Sequence, residues 1–201
     1  MHKKPWEVQP ELTEERLLFI ASILKDVRNR SVDLHDPSEG DDVWSLGCRV
    51  YERSINIIAR KADSAPWLKV IKKGLYFVML IQGVPIRFYK GDIENPTARS
   101  LQRLHPELEA QQYIFSFAQE HFVWFWRTVV ETDELGKVLR IVVAQFTEAG
   151  DVRNQWTVPI SGSITKMAPV VNMRREGVVL EKPRVEPREN TLERVAENDN
   201  G

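Results

Sequence analysis

Apolar residues in the first third of the chain recur at steps of three and four, the spacing of a helix that buries one face. One stretch contains Leu17, Ile20, Leu24 and Val27. In the next, Trp44 lies two helical turns before Tyr51, which is followed at steps of four and three by Ile55 and Ile58. Thr13 precedes the first repeat, and its hydroxyl can cap a helix by accepting a backbone N–H. The residues between the repeats, which include Pro37 and Gly40, are turn formers. The pattern predicts two amphipathic helices, the second over Val43 to Ala62.

The period of the pattern changes after Pro66. The run from Leu75 to Ile81 is continuously apolar and rich in aromatic and β-branched residues, as in a strand buried on both faces. Gln82 to Val84 predicts a turn and Ile86 to Lys90 a second strand, so the two strands are expected to form a β-hairpin. Beyond Pro106 the apolar residues return to helical spacing, which predicts a third helix.

Two more stretches are rich in aromatic and β-branched residues, Phe122 to Thr132 and Val138 to Thr147. They predict a second hairpin, with the segment DELG as its four-residue loop. A loop of that length pairs Trp126 with Val143. Because side chains alternate along a strand, Trp126 is then expected on the apolar face of the hairpin and Arg127 on the opposite face.

A shorter run from Gln155 to Ile160 predicts one edge strand more. Together these elements predict an α+β domain over residues 1–160, in which about three amphipathic helices cover an antiparallel sheet of four to five strands built from two hairpins. Residues 161–201 alternate charges with prolines and have no sustained apolar period. We therefore expect a tail that is mostly disordered or that orders only with a partner.

Charge and cysteine content bound the environment of the protein. Lys and Arg number 28 against 29 Asp and Glu, a net charge of -1, so no long-range attraction to nucleic acid or to an anionic membrane is expected. Cys48 is the only cysteine, which excludes an intramolecular disulfide, and the N-terminus lacks the apolar segment of an export signal. No apolar run approaches the ~20 residues of a membrane-spanning helix. We expect a soluble, cytoplasmic protein that does not associate with membranes.

Positively charged and aromatic residues on the two hairpins are the best candidates for a binding site. Alternation along the strands places two of them on one face of the first hairpin and two on one face of the second, and the two pairs converge if the hairpins share a sheet. The candidates are Arg87, Tyr89, Lys90, Arg127 and Arg140. Such a face can grip phosphate or carboxylate, or stack bases. The alternative is structural, because Glu131 can pair with an arginine of the second hairpin and a lysine can protect a strand edge.

Motifs for catalysis and for cofactor binding do not occur: HEXXH, GXSXG, GXGXXG and the Walker pattern are all absent. His105 and Glu109 have the spacing of two metal ligands on a helix, but His105 precedes Pro106 and is better placed as a cap. We therefore expect neither a metal ion nor a cofactor.

The six tryptophans fall into two predicted classes. Trp44, Trp124 and Trp126 are expected in the core, because they follow the apolar periods of their elements. Trp6, Trp67 and Trp156 lie near element ends, where a surface for a partner is an alternative.

Two functions agree with these features. The first is a non-catalytic binding or regulatory module that acts through a protein partner, with or without a small anionic ligand. The second is an enzyme that handles phosphate or nucleotides. Its electrostatic clamps would be Arg87, Lys90, Arg127 and Arg140, with Asp92 or Glu131 as a base or metal ligand. For either function, the net charge of -1 makes nucleic acid a less favoured ligand.

Overall fold

The computed structural model describes residues 2–115 and 124–160, without the side chains of 112–115. Five helices and six strands occur in these ranges. The helices are α1 (Pro5–Val8), α2 (Glu14–Asp33), α3 (Val43–Ala62), α4 (Ala98–Leu101) and α5 (His105–Phe115). The strands are β1 (Leu68–Lys72), β2 (Val78–Ile81), β3 (Val84–Lys90), β4 (Trp124–Thr132), β5 (Val138–Thr147) and β6 (Val152–Thr157). The predicted tail, 161–201, lies outside the described residues.

The six strands form one sheet whose spatial order follows the chain, from β1 to β6. Neighbouring strands are antiparallel except for β3 and β4, which are parallel and pair Ile86 with Trp126. The two predicted hairpins therefore share one sheet, and the α+β class is confirmed. The strand missing from the prediction is β1, a short edge strand in which Lys69 and Lys72 interrupt the apolar pattern. The expectation of an entirely antiparallel sheet is wrong at β3 and β4, because the long connection between them returns the chain to the same end of the sheet.

One face of the sheet carries the main core, against α2 and α3. Thr13 caps α2 by accepting the N–H of Arg16 at 3.4 Å, and Asp42 caps α3 by accepting the N–H of Ser45 at 2.7 Å. The buried residues that join these helices to the sheet are Leu17, Ile20, Leu24, Ile55, Ile58, Ile86, Trp126, Val130 and Ile141. Their burial on one shared face explains why the three- and four-residue spacing predicted both helices.

The opposite face is covered by the connection between β3 and β4, which contains α4 and α5. A smaller apolar cluster forms there, in which Ile93 and Leu101 pack on Phe125, Val129 and Phe146. The predicted third helix, α5, thus lies on the face opposite to α2 and α3. No helix in the described ranges has the length and apolar content needed to cross a membrane.

The β4–β5 hairpin has a register two residues away from the predicted one. Trp126 pairs with Gln145 instead of Val143, because the loop is longer than predicted and the ladder is irregular at Glu131 and Thr132. Gly136, with φ of +81°, occupies the left-handed position of the loop. A shift of two keeps every side chain on its predicted face, so Trp126 and Arg127 still lie on opposite sides.

Strand β2 is shorter than the predicted run, and this creates an open edge. The residues Gly74–Tyr76 form a turn of 3₁₀ helix, and the ladder between β2 and β3 ends where Met79 pairs with Ile86. Among the described residues, none forms a strand beside Arg87–Lys90 on that side of β3. We call Arg87–Lys90 the open edge.

Candidate functional site

A cavity of about 630 Å³ lies beside the open edge. This volume is within the range of small-molecule pockets. Its apolar wall includes Tyr51 of α3 together with Phe77 and Phe88, whose rings lie 5.7 Å (Tyr51 to Phe88) and 5.9 Å (Phe77 to Phe88) apart. The Tyr51 hydroxyl fixes this wall, because it donates to the carbonyls of Gly74 or Leu75 and accepts the N–H of Phe77 at 3.3 Å.

The charges around the cavity are strongly unbalanced. Among the described residues, five cationic side chains line it and one carboxylate does, that of Glu52. A second carboxylate, that of Glu107, lies behind the wall, where it pairs with Arg127 and is 4.0 Å from Arg87. The cations are Arg28, Arg87, Lys90, Arg99 and Arg127. The balanced composition of the whole chain therefore conceals a local excess of positive charge, of the kind that raises the local concentration of anions.

Arg28 and Lys90 form the least compensated part of this group. Arg28 is only 4% exposed, and its Nε donates to the carbonyl of Gly136 at 2.7 Å. Burial lowers the pKa of Arg28, while the pKa of Lys90 is lowered first by burial and then by the charge of Arg28. Neither cation has an ion pair within the described part of the chain. Arg28 is buried and Lys90 is exposed at the same cavity. Their like charges repel each other, and an anion that contacts both would relieve the repulsion.

Arg127 is held differently, because its charge has a buried partner. Its side chain is 1% exposed and forms an ion pair with Glu107 of α5, which is fully buried. Its guanidinium also donates to the carbonyls of Ser100 at 3.2 Å and Gln102 at 3.3 Å, and lies 4.3 Å from the ring centre of Phe125. Burial lowers the pKa of Arg127 and the Glu107 carboxylate opposes this shift. Arg127 therefore anchors the connection between β3 and β4, and so shapes one wall of the cavity.

Arg87 and Tyr89 lie on the same face as Arg127, as the alternation along β3 predicted. Arg87 pairs directly with Arg127 in the parallel ladder and donates to the carbonyl of Gln102 at 2.7 Å. The Tyr89 hydroxyl is buried without a hydrogen-bond partner among the described residues, and burial raises the pKa of Tyr89 to about 12. A buried hydroxyl without a hydrogen bond is costly, but this oxygen is too buried to be offered to a ligand in the cavity.

Arg140 does not reach the cavity. It pairs with Glu131 across the β4–β5 ladder, with contacts of 2.5 and 3.1 Å, and its side chain is 43% exposed. The structural alternative stated for the arginines therefore applies to Arg140. Of the five candidate residues, four line the cavity, and their role in binding stays a prediction: Arg87, Tyr89, Lys90 and Arg127.

The candidate set omitted four residues that line the same cavity. Arg28 and Arg99 complete its positive charge, while Trp44 and Cys48 stand on the side of α3. The prediction that Trp44 belongs to the core is wrong, because this side chain is 76% exposed and lines the cavity instead of packing against the sheet. The helical period that includes Trp44 and Tyr51 was the signal for this wall, but it does not distinguish a filled core from a cavity.

The described residues contain no cluster of side chains suited to a metal ion. His105 and Glu109 lie 3.4 Å apart, but both are exposed and no third ligand joins them. The acidic loop before α3 is occupied by an internal contact, since Asp41 pairs with Arg49 at 2.7 Å.

We compared the chain with protein-family models, with curated proteins and with solved structures, and none of the three comparisons found a match.

Proposed function

We propose that this protein is a non-catalytic binding module that acts through a protein partner and holds an anionic, partly apolar group in the cavity beside the open edge. The observation that carries this proposal is the pair Arg28 and Lys90, two cations at an aromatic wall that have no counter-ion among the described residues. A carboxylate or phosphate between them would make charge-assisted hydrogen bonds, each worth about 1.5–3 kcal/mol.

The rest of the cavity supports a ligand with an apolar part. The rings of Tyr51, Phe77 and Phe88 offer a wall for an aromatic or aliphatic body. A mainly apolar pocket with a few converging polar groups is the usual form of a ligand site.

The enzyme alternative has less support from the described residues. Asp92 and Glu131, its proposed base or metal ligands, do not line the cavity. Asp92 accepts the N–H of Glu94 at 2.9 Å, and Glu131 is held by Arg140. Arg140, one of the proposed clamps, is bound to the carboxylate of Glu131 and does not line the cavity.

The proposal can be tested with a matched pair of fluorescent ligands. Anilinonaphthalene sulfonate carries an anionic group on an aromatic body, and N-phenylnaphthylamine is the same skeleton without the sulfonate. We expect one sulfonate probe to bind per chain, at least about tenfold more tightly than the neutral probe, since one charge-assisted hydrogen bond is worth about 1.4 kcal/mol or more. Equal affinities for the two probes would contradict the proposal.

Two variants locate the effect in the cavity. Lys90→Gln should weaken binding of the sulfonate probe about tenfold and leave the neutral probe unchanged, because it removes one charge and keeps a similar side chain. Arg60→Gln is the matched control, since Arg60 is an exposed cation of α3 that does not line the cavity. A loss of sulfonate affinity in the control as large as in Lys90→Gln would show general charge attraction in place of a site.

A further inference from the structure

Backbone groups of the open edge face away from β4 and have no hydrogen-bond partner in residues 2–115 and 124–160. In the parallel ladder the N–H of Gly91 donates to the carbonyl of Val130, so odd-numbered residues of β3 turn their backbone groups toward β4. Alternation then turns the N–H and C=O groups of Phe88 and Lys90 toward the open edge. Within the described ranges no backbone group pairs with them.

The two sides of the open edge differ in chemistry. The side toward α3 presents the ring of Phe88 and, two residues further along the strand, the charge of Lys90, with that of Arg28 at the same cavity. The opposite side presents Arg87, with Arg99 of α4 lining the same cavity. An added strand would therefore meet an apolar position opposite Phe88 and positive charge on either side of it.

We propose that the ligand is an extended segment of a partner protein, which adds to the sheet as a strand along the open edge. Charge complementarity specifies the segment: an apolar residue opposite Phe88, with carboxylates opposite Arg87 and Lys90. This inference rests on the proposed function and deepens it by naming the ligand. Main-chain hydrogen bonds provide affinity and alternate side chains provide specificity, as in other cases of strand addition.

The geometry of the edge sets the sequence pattern of the segment. Antiparallel pairing is slightly the more stable, and it gives the order acidic, any residue, apolar, acidic along the partner. In that arrangement the apolar residue exchanges two hydrogen bonds with Phe88, and the first acidic residue exchanges two with Lys90. The residue between them turns its own N–H away from β3, toward solvent.

The test uses the full chain and a capped hexapeptide, acetyl-Gly-Glu-Thr-Leu-Glu-Gly-amide, titrated by calorimetry. We expect it to bind, and we expect the version with lysine at both glutamate positions to bind at least about tenfold more weakly. Methylation of the leucine nitrogen should weaken binding about tenfold, because that N–H faces the Phe88 carbonyl. Methylation of the threonine nitrogen is the matched control and should change affinity less than about twofold, since that N–H does not face β3.

A second readout reports on the edge itself. With the peptide bound, hydrogen exchange at the Phe88 and Lys90 amides should slow by about tenfold or more, while the Arg87 and Tyr89 amides, which face β4, should change little. This measurement on the unmodified protein does not depend on a variant that folds poorly.

The outcomes separate this inference from the proposed function. Strand addition is overturned if the peptide fails to bind, if leucine methylation has no effect on binding, or if hydrogen exchange at Phe88 and Lys90 is unchanged. A preference for the sulfonate probe would still support an anion site in that case. If the edge instead pairs with a second copy of this chain or with its own residues 161–201, the peptide will be excluded, and that exclusion also overturns the inference.

Discussion

The buried ion pair between Arg127 and Glu107 should be the most sensitive electrostatic contact of the molecule. We consider Glu107→Gln, which keeps the shape of the side chain and removes its charge. The carboxylate is fully buried and the guanidinium is 1% exposed, so water cannot replace the lost partner. Removing one member of a buried pair costs about 3–5 kcal/mol, because the other charge stays desolvated. The carbonyls of Ser100 and Gln102 still accept from Arg127, which favours the lower end, about 3 kcal/mol.

Urea unfolding of the wild type and of two variants measures this cost. Glu131→Gln is the matched control, because Glu131 pairs with Arg140 on the same face of the sheet. Glu131 is 12% exposed but its partner Arg140 is 43% exposed, so water can replace the lost contact and we expect that substitution to cost about 1 kcal/mol. The unfolding free energy of Glu107→Gln should thus be at least about 2 kcal/mol below that of Glu131→Gln.

Equal destabilisation by the two substitutions, within about 0.5 kcal/mol, would refute the reasoning. It would mean that burial of the Arg127 and Glu107 pair does not determine its contribution. The pair would then not be what anchors the β3–β4 connection and shapes the cavity wall.

Three further predictions concern single side chains. Hydrogen bonds from Arg49 lower the pKa of Asp41 to about 2. The stability that this carboxylate contributes is therefore present above its ordinary pKa of 3.8 and is lost as the pH falls through about 2. Acid unfolding of Asp41→Asn should lack this portion of the pH dependence. Burial raises the pKa of Tyr89 from 10.0 to about 12, so stability should decline as the pH rises from 10.0 toward 12, and Tyr89→Phe should show a shallower alkaline decline by circular dichroism. Gln82 has φ of +48° in the β2–β3 turn, a conformation that asparagine adopts more readily. Thermal unfolding should therefore show that Gln82→Asn raises the free energy of unfolding by about 0.5 kcal/mol. A free energy below that of the wild type would contradict the turn assignment.

Helices and side-chain faces were predictable from the sequence because each depends on a local period. The bounds of α3 match the predicted stretch, Val43 to Ala62. The register error in the β4–β5 hairpin left the faces intact, because a shift of two residues restores the alternation. For the same reason, Arg87 and Arg127 were correctly placed on one face once the hairpins joined.

The open edge and its cavity were not predictable, because long-range contacts create them. The run from Leu75 to Ile81 has the composition of a strand throughout, yet its first residues turn away where the Tyr51 hydroxyl binds the carbonyls of Gly74 or Leu75. Arg28 lies on a helix remote in sequence from Lys90, and only the packing of α2 on the sheet brings the two charges together. Local patterns carry no information on such contacts.

If the cavity beside the open edge holds an anion, the bound anion should shield Cys48, and this can be measured directly. Cys48 is the only cysteine of the chain, it is exposed, and it lines the cavity. The measurement is the rate at which iodoacetamide, a neutral reagent, alkylates Cys48 with and without the sulfonate probe. At a probe concentration of about ten times its dissociation constant, we expect the rate to fall about threefold or more, because roughly nine sites in ten are occupied. An unchanged rate at the same occupancy would place the bound anion elsewhere and contradict the proposed anion site.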